Sequence, residues 1–376
     1  MKILLTGGGS GGHFYPLIAV AEEINKIIKE EQLLPATLYY MSDSPHDTQS
    51  LIENNIEFVP ISAGKSRRYF SLLNVFDAFK TFFGIISASI KIFSIYPDVI
   101  FSKGAYASFP VLVAAKIFRI PVFIHESDSV PGRTNLWAGK FAKRVALSYP
   151  DAAKFFDAKK TAVTGNPIRS SVKNLPPVEG AKQFLGLTEN IPVILIVGGS
   201  LGARLINEQI LSILPKLVES YYVIHQVGKN NIDELRTAVS VILKDNNFSK
   251  RYKPFDYLDN LNMGMAAAAT DLVISRAGST IFEIANWGIP SIMIPITDSN
   301  GDHQRQNAYY YARSGGATVI EEGNLSPNIL LQEVNRILTD KNIAQKMKVA
   351  AKSFIKEDAA HIIAKEIIDL GLQHEK

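Results

Sequence analysis

Two glycine-rich turns, one at the head of each half of the chain, most strongly constrain how this sequence can fold. The first, GGGSGGH at residues 7–13, follows the apolar run Lys2–Thr6, and the second, GGSLGAR at residues 198–204, follows Pro192–Val197. Glycines there allow positive φ and a close approach of the backbone to a ligand. The free N–H groups of a following helix favour an anion. Each half therefore predicts a strand, a glycine turn and a helix.

Short apolar runs alternate with helical stretches along the whole chain, which predicts parallel α/β sheets. The predicted strands are Lys2–Thr6, Thr37–Met41, Glu57–Ile61, Asp98–Ser102, Pro121–His125, Arg144–Leu147, Pro192–Val197, Tyr222–Gln226, Leu272–Ser275, Ser291–Pro295 and Thr318–Ile320. The alternation breaks at Thr164–Pro176 and then restarts. With 376 residues, beyond the roughly 250–300 that one core usually holds, we expect two doubly wound, Rossmann-like domains. They cover residues 1–165 and 166–354, and a helix at about 355–376 can pack back onto the first.

The composition excludes several kinds of chemistry. The chain has no cysteine, which rules out thiolate nucleophiles, cysteine-bound zinc and disulfides. Hydrophobic residues make up 47% and charged residues 20%, as in ordinary soluble proteins. The net charge is only +4, and the sequence has no nucleic-acid-binding signature. It also lacks the D-x-D and H-x-x-x-H patterns that would predict a metal site. The apolar run at the N-terminus is too short for a signal peptide, so we expect a cytoplasmic protein.

The first glycine turn leaves two chemical interpretations open. Gly7, Gly9 and Gly12 satisfy G-x-G-x-x-G, and Asp43 lies near the end of the next strand, as in a dinucleotide site. His13 favours another use, because its imidazole can hydrogen-bond a hydroxyl or act as a base. A purely structural turn is the third possibility. An NAD-dependent enzyme would explain this turn but would leave the second half of the chain unexplained.

The second half carries signals of a nucleotide-sugar site. Ser200 can offer a hydroxyl to a phosphate, Gly278 permits close ligand approach, and Glu283 can accept two hydrogen bonds from a ribose. Thr280 and Glu283 have capping-box spacing, so a well-capped helix is the alternative. A further polar cluster follows the strand WGIPSIMIPI and comprises Asp302, His303, Gln304 and Asn307. Ligands of open α/β sheets bind beyond the carboxyl ends of strands, so these groups are expected to face a site.

Seven motifs now identify a resemblance that covers nearly the whole chain in order. They are GGGSGGH, SAGKSRRY, HESDSVPGRTN, TGNPIR, GGSLGAR, SRAGSTIFE and DHQRQNA. This set resembles the MurG family of peptidoglycan glycosyltransferases. The resemblance implies a GT-B fold, with two Rossmann-like domains facing across a cleft. It also implies inverting transfer of N-acetylglucosamine from UDP-GlcNAc to the C4 hydroxyl of the MurNAc of lipid I (undecaprenyl-pyrophosphoryl-MurNAc-pentapeptide), which gives lipid II without a cofactor or a metal.

The resemblance also implies roles for individual residues. The UDP-GlcNAc contacts are expected at Ser10, Gly11, Gly12, Asp128, Arg169, Ser200, Ser279, Thr280, Glu283 and Gln304, with Arg169 and Ser200 at the diphosphate. The acceptor side is expected to include Tyr106, Ser108 and His125. Inverting transfer needs a base near the attacking hydroxyl. His13 is our candidate for that base, with Glu126 and His125 as alternates.

Three positions depart from the family pattern. Asp128 stands in HESD where many members have the amide of HEQN. The loop in SRAGSTIFE is one residue shorter than usual between the glycine and the glutamate, which affects Ser279 and Thr280 more than Glu283. Ala105 replaces a usual second glycine in GAYASFP.

A basic and aromatic segment at residues 65–91 predicts contact with a membrane. Its uncharged runs are shorter than the ~20 residues of a transmembrane helix, so an amphipathic surface on anionic lipid is expected. The predicted patch comprises Arg67, Arg68, Phe70, Phe79, Phe82 and Phe83. The protein would then be peripheral on the cytoplasmic face of the plasma membrane. A helix packed on the sheet with its lysines in water is the alternative.

Other function classes share parts of this pattern. Another GT-B transferase with a lipid acceptor would use the same fold and patch, although SAGKSRRY and HESDSVPG favour lipid I. A UDP-GlcNAc 2-epimerase has a related fold and needs no membrane face. A nucleotide-sugar sensor without catalysis stays open at this point.

Overall fold

The structure, a computed structural model, describes residues 1–64, 73–199, 202–297, 299–356 and 358–374. Two compact units divide the chain. Unit 1 comprises Met1–Arg169 together with Lys356–Lys376, and unit 2 comprises Ser170–Ile355. Each unit contains its own sheet and is described by itself.

Within the described residues, thirteen strands form the two sheets. They are β1 (Lys2–Thr6), β2 (Thr37–Ser42), β3 (Ile56–Pro60), β4 (Val99–Ser102), β5 (Val122–Glu126), β6 (Arg144–Leu147), β7 (Thr161–Val163), β8 (Val193–Val197), β9 (Tyr222–Gln226), β10 (Tyr252–Phe255), β11 (Leu272–Ser275), β12 (Ser291–Met293) and β13 (Ala317–Val319).

The α-helices of the described chain connect or follow these strands. They are α1 (Gly11–Glu30), α2 (Thr48–Glu53), α3 (Leu73–Ile95), α4 (Ala105–Ile117), α5 (Arg133–Ala138), α6 (Ser170–Lys173), α7 (Val178–Phe184), α8 (Arg204–Ser220), α9 (Ile232–Ile242), α10 (Asn260–Ala269), α11 (Thr280–Trp287), α12 (His303–Arg313), α13 (Pro327–Thr339), α14 (Lys341–Phe354) and α15 (Ala359–His374).

Both sheets are parallel and have the same doubly wound strand order. Unit 1 has the order β3-β2-β1-β4-β5-β6-β7, and unit 2 has β10-β9-β8-β11-β12-β13. The order therefore reverses between β1 and β4 in unit 1 and between β8 and β11 in unit 2. At these points Thr6 lies opposite Ser102, and Val197 lies opposite Ser275. Such a switch point is where open α/β sheets bind their ligands, and each glycine turn begins at one.

Helices cover both faces of the first sheet, which explains why its central strands are continuously apolar. One face packs against α1 and α15, with Leu5, Leu17 and Ile367 among the buried residues. The other face packs against α3 and α4, with Ile100 and Val111 among them. In unit 2, helices α8 and α13 pack on the sheet around residues such as Ile196, Leu214 and Val334.

The predicted alternation of strands and helices agrees with these elements, and two strands were missed. β7 and β10 lie at the edges of their sheets. β7 is only partly buried, and β10 contains Pro254. Edge strands tolerate proline and polar residues because one side makes no ladder hydrogen bonds, so their apolar signal is weak.

Helix α1 begins at Gly11, within the glycine run itself. Pro16 lies inside the helix and is buried, close enough to the N-terminus for its missing N–H to remove only one early backbone bond. Gly11 and Gly12 thus belong to the first helical turn.

Candidate active site

The first glycine turn is packed so closely that side chains are excluded. The Gly7 carbonyl accepts hydrogen bonds from the Tyr40 hydroxyl at 2.9 Å and from Ser42 Oγ at 2.8 Å. A Cβ on Gly8 would lie 2.6 Å from Ser42 Oγ, and Gly9 has φ +84°. The turn therefore needs glycine at these positions to bring the backbone from β1 to the start of α1.

The N-terminus of α1 places polar groups around one point. Ser10 is the N-cap residue, and Gly11 and Gly12 are the first helical residues. Ser10 Oγ lies 3.0 Å from His13 Nδ1. The first N–H groups of a helix carry partial positive charge, so backbone donors and an imidazole lie close together here. The binding and catalytic roles of Ser10, Gly11, Gly12 and His13 stay predictions.

Asp43 decides against the dinucleotide interpretation of this turn. A dinucleotide site offers the carboxylate at this position to a ribose. Here the Tyr106 hydroxyl donates a hydrogen bond to Asp43 Oδ2 at 2.6 Å. Burial, followed by the hydrogen bond to Asp43, raises the pKa of Tyr106 above its ordinary value, so the phenol stays protonated as a donor. The carboxylate of Asp43 therefore already accepts a hydrogen bond within unit 1.

The first turn of helix α4 carries Ser108, another predicted acceptor-side residue. Ser108 is fully buried, and its hydroxyl donates to the carbonyl of Gly104. Gly104 has φ +78° and Ala105 has φ +68°. Left-handed backbone costs a non-glycine residue roughly 1–2 kcal/mol, which explains why a glycine is usual at position 105. Ser108 therefore supports the turn that presents Tyr106.

Glu126 anchors the turn after β5. Its carboxylate accepts hydrogen bonds from Asp128 N at 2.9 Å, Gly132 N at 3.0 Å and Asn135 Nδ2 at 2.9 Å. The residue is 3% exposed. Burial, followed by the charge of Asp128, raises the pKa of Glu126 to about 7, against the three donated bonds. Asp128, predicted to touch the donor sugar, is half-buried in this turn.

His125 lies in the interior rather than on a surface. It is fully buried, with Lys103 Nζ 2.6 Å from Nδ1 and the Gly165 carbonyl 3.0 Å from Nε2. Burial, followed by the charge of Lys103, lowers the pKa of His125 well below its ordinary value. The imidazole is therefore neutral at physiological pH, and it joins the turn after β5 to the turn after β7.

Arg169 lies in unit 1, beyond the predicted boundary at residue 165. Its guanidinium carbon is 3.6 Å from the ring centroid of Tyr15, on helix α1, and the residue is 5% exposed. The His46 ring lies 5.7 Å from that of Tyr15. Burial lowers the pKa of His46, Asp47 raises it, and Arg169 lowers it further. Stacking on an aromatic ring holds the guanidinium rigidly beside the first turn of α1.

The second glycine turn begins at the switch point of unit 2. Gly199 has φ +91° and Gly202 has φ +76°, and a Cβ on Gly202 would lie 2.0 Å from the Val227 carbonyl oxygen. Gln226 Nε2 donates to the Gly199 carbonyl at 3.0 Å, and its Oε1 accepts from Leu258 N at 3.0 Å. These bonds hold Gly199 beside the end of β9. Ser200, the predicted diphosphate contact, lies outside the described residues.

The turn after β11 bears on the alternative interpretation of Thr280 and Glu283 as a capping box. Ser279 precedes α11 with helical φ and ψ and makes no side-chain capping bond. Thr280 is the first helical residue and therefore not the N-cap residue that a capping box requires. The side chains of Ser279, Thr280 and Glu283 are half-buried. A Cβ on Gly278 would meet nothing within 4 Å, so space is open beside the turn.

Helix α12 is held against this turn. Asn307 Nδ2 donates to the Ala277 carbonyl at 3.2 Å, and Gln304 Oε1 accepts from Ile296 N at 3.2 Å. Arg276 pairs with Glu322 at 2.7 Å, with side chains 12% and 17% exposed. The turn that carries Glu283 and the helix that carries Gln304 are thus brought together in unit 2, as the strand-end rule predicts.

Helix α3 carries the described part of the predicted membrane patch. Phe79, Phe82 and Phe83 are 60%, 58% and 61% exposed. The segment Phe76–Ile95 has a hydropathy of 1.4 and is long and apolar enough to cross a membrane by length and composition alone. Arg67, Arg68 and Phe70 lie outside the described residues. A Cβ on Gly84 would lie 1.9 Å from the Ser62 carbonyl oxygen, so α3 packs tightly against the rest of unit 1.

Several site residues were missed by the sequence interpretation. Lys103, Asn166, Tyr15 and Arg276 make the contacts that hold the predicted residues in place. Lys103 could have been found, because it directly follows strand β4 at the switch point. Among the described residues, no group of three or more His, Cys, Asp or Glu could hold a metal.

Comparisons with known proteins cover both units. Residues 3–147 match the glycosyltransferase family 28 N-terminal domain, and residues 193–363 match the family 28 C-terminal domain. The chain is 36% identical over 348 residues to the UDP-N-acetylglucosamine–N-acetylmuramyl-(pentapeptide) pyrophosphoryl-undecaprenol N-acetylglucosamine transferase of Clostridium botulinum strain Hall, covering 91% of this chain and 92% of the relative.

Solved structures show the fold. Acinetobacter baumannii MurG aligns with a TM-score of 0.71 at 24% identity, over 98% of this chain and 99% of that one. A UDP-N-acetylglucosamine 2-epimerase from Listeria monocytogenes, so described provisionally, aligns with the same TM-score of 0.71 at 17% identity, over 99% and 97% of the two chains. The fold alone therefore does not separate a transferase from an epimerase, whereas the sequence relatives do.

Proposed function

The chain belongs to glycosyltransferase family 28, and on that premise we propose that it transfers N-acetylglucosamine from UDP-GlcNAc to lipid I, giving lipid II. It is a UDP-GlcNAc-dependent hexosyltransferase with a GT-B fold. The observation that carries this function is 36% identity over nine-tenths of the chain to a transferase named for that reaction. The site geometry supports the same conclusion, because Asp43 is engaged by Tyr106 rather than presented to a dinucleotide.

Unit 2 supplies the donor site in this proposal. The glycine turn before α8, with Ser200, receives the diphosphate, Glu283 accepts hydrogen bonds from the ribose, and Gln304 contacts the hydroxyls of the sugar. The ties from Asn307 to Ala277 and from Gln304 to Ile296 support this arrangement, because a pre-formed site binds without first ordering its side chains.

Unit 1 supplies the acceptor site. The N–H groups at Gly11 and Gly12 and the guanidinium of Arg169 offer positive charge to a diphosphate, and Tyr106 borders the same turn. Arg169 stacks on Tyr15, which lies on the helix whose N-terminus forms the turn. This placement favours Arg169 as a contact to the pyrophosphate on the acceptor side as much as to UDP.

The transfer step follows from the chemistry of an inverting enzyme. The C4 hydroxyl oxygen of MurNAc forms a bond to the anomeric carbon of GlcNAc, and the bond from that carbon to the UDP oxygen breaks. His13 Nε2 takes the hydroxyl proton, and UDP leaves with the bonding electron pair. This requires the tautomer in which Nδ1–H donates to Ser10 Oγ, a contact of 3.0 Å. No cofactor or metal enters the step.

Glu126 is the weaker candidate for the base. Its carboxylate is buried and accepts hydrogen bonds from three N–H donors of its own turn. Accepting a proton from substrate would break those bonds. We therefore assign Glu126 to holding the turn that carries Asp128.

Membrane contact through α3 completes the proposal, since the acceptor is a lipid. Large apolar side chains are exposed at Phe76, Phe79, Phe83, Ile86, Ile90 and Phe93. Their spacing of three or four residues places them on one helix face. The opposite face is buried at Gly84, Ala88 and Ile92. A helix buried along one side and apolar along the other favours docking in the plane of the membrane on the cytoplasmic side.

Acceptor dependence separates this function from epimerisation. A transferase releases UDP from UDP-GlcNAc only when a lipid I analogue is present, and calorimetry should show binding of UDP-GlcNAc in preference to UDP-galactose and NADH. Acceptor-independent conversion of UDP-GlcNAc to UDP-N-acetylmannosamine, or to N-acetylmannosamine and UDP, would establish an epimerase instead.

A further inference from the structure

Lys103 places a cationic side chain in the interior of unit 1. The residue directly follows β4, is 1% exposed, and its backbone N–H donates to the Thr6 carbonyl at 2.9 Å. A Cβ on Gly7 would lie 3.3 Å from Lys103 Cβ. A buried ammonium group is unfavourable unless other groups compensate its charge and its donors.

Two side chains, His125 and Asn166, accept hydrogen bonds from its ammonium group. Lys103 Nζ lies 2.6 Å from His125 Nδ1 and donates to Asn166 Oδ1 at 3.3 Å. His125 Nε2 lies 3.0 Å from the Gly165 carbonyl oxygen, which can only accept. Because an ammonium group can only donate, His125 Nδ1 accepts and Nε2 carries the proton. The contacts from Lys103 therefore join the ends of β4 and β5 to the turn after β7.

The charges that face Lys103 come from the turn after β5. Burial lowers the pKa of Lys103, whereas the carboxylates of Glu126 and Asp128 raise it. Glu126, in turn, accepts three hydrogen bonds, which favour its ionised form. His125 stays neutral. The ammonium group and the carboxylate of Glu126 thus favour each other's charged form within the same buried region.

We propose that Lys103 is a positioning residue for the transfer reaction, which holds the turn carrying Asp128 and the turn leading to Arg169 in one arrangement. It acts through His125, Asn166 and Glu126 and does not touch the substrate. The kinetic part of this inference rests on the proposed function, whereas the geometry does not.

The kinetic test compares Lys103→Met with Lys140→Met, a replacement of an exposed lysine in the same unit. We expect kcat/KM for UDP-GlcNAc at pH 7 to fall about 10²-fold in Lys103→Met, and to stay at the wild-type value in Lys140→Met. The ratio of kcat/KM in the wild type to kcat/KM in Lys103→Met should shrink by roughly tenfold between pH 6.5 and 9. At the higher pH the wild type loses the Lys103 charge, and Glu126 regains its charge in the variant.

A purely structural role would give a ratio that does not change with pH, and that result, or wild-type kinetics in Lys103→Met, would overturn the proposal. A second measurement needs neither turnover nor a folded variant. In ¹⁵N-labelled wild-type protein, His125 should show the neutral Nε2–H tautomer, and its Nδ1 shift should move only when Lys103 loses its proton. An Nδ1–H tautomer, or titration of His125 near its ordinary pKa of about 6.5, would overturn the inference even if wild-type turnover on lipid I were intact.

Discussion

In the first turn of α1, His13 contacts Ser10 through both its backbone and its ring. Its backbone N–H donates to the Ser10 carbonyl at 3.1 Å, and its Nδ1 lies 3.0 Å from Ser10 Oγ. The Ser10 hydroxyl can therefore hold the ring with Nε2 directed away from the turn. A neighbouring hydroxyl that orients an imidazole is a common arrangement for a general base.

Replacing His13 with alanine should lower kcat by about 10²–10⁴-fold, the usual contribution of a positioned base. Binding of UDP-GlcNAc, measured by calorimetry, should change by less than about threefold, a loss below ~0.7 kcal/mol. Ser10→Ala is the matched variant, and it should lose less kcat because the ring remains. A His13→Ala enzyme with near wild-type kcat would remove His13 from the mechanism.

His225 in unit 2 makes stability depend on pH. It is fully buried, with Tyr252 Oη 2.9 Å from Nδ1 and Asn207 Oδ1 3.1 Å from Nε2. Burial lowers the pKa of His225 from 6.5 to about 3. Below pH 6.5 the unfolded chain binds a proton at His225 that the folded chain does not, so stability falls as pH falls towards 3.

Between pH 7 and pH 5, His225 alone should therefore lower the free energy of unfolding of unit 2 by about 2 kcal/mol. His225→Gln should remove that part of the loss. The chain has two tryptophans, and Trp287 lies in unit 2, so urea unfolding in a Trp137→Phe background reports on that unit alone. An identical loss in both proteins would show that His225 does not cause the dependence.

Helix α3 is buried along one face and exposes large apolar side chains along the other. Phe79 and Phe83 are 60% and 61% exposed, whereas Ala88 and Ile92 on the other face belong to the core of unit 1. Exposed apolar area of this extent on one face marks an interaction surface.

Phe79→Ser combined with Phe83→Ser should weaken binding to vesicles of phosphatidylcholine and phosphatidylglycerol by roughly 10²–10⁴-fold, since each buried phenylalanine contributes about 1.5–3 kcal/mol. Phe184→Ser is the matched control, because Phe184 is 51% exposed on α7 of unit 2. Co-sedimentation measures all of them. Equal binding by the double variant and the control would contradict docking through α3.

The elements show where sequence patterns predict well and where they do not. Apolar runs predicted the central strands, because both faces of those strands are buried, and the glycine turns predicted a strand, a turn and a helix at the start of each half. The alternative of a capping box at Thr280 does not hold, because two residue types at the right spacing do not determine backbone φ and ψ at the residue before them. The contacts of Lys103 with His125 and of Arg169 with Tyr15 join residues far apart in the chain, so local patterns carry no signal of them.

At the scale of the whole molecule, the C-terminal helix belongs to the unit formed by the start of the chain. Helix α15 packs on α1 and β4, with Ile363, Ile367 and Ile368 buried. A Cβ on Gly371 would lie 2.5 Å from Met1 Sδ. The stability of unit 1 thus depends on residues that follow unit 2 in the sequence.

A chain that ends at residue 355 should lose most of the stability of unit 1. Three buried isoleucines contribute about 5–9 kcal/mol, which is comparable to the whole stability of a typical domain. Trp137 fluorescence should report unfolding of unit 1, and Trp287 should still report a native unit 2. A chain that lacks only residues 375–376 is the control. An unchanged Trp137 transition in the shorter chain would contradict this assignment of α15.

The most direct test of the central claim is analysis of the product from ¹³C-labelled UDP-GlcNAc and a short-chain lipid I analogue. The account predicts one UDP released per disaccharide formed, with GlcNAc joined to the C4 oxygen of MurNAc in the inverted, β configuration. An α-linked product, a different linkage position, or conversion of UDP-GlcNAc without the acceptor would contradict it.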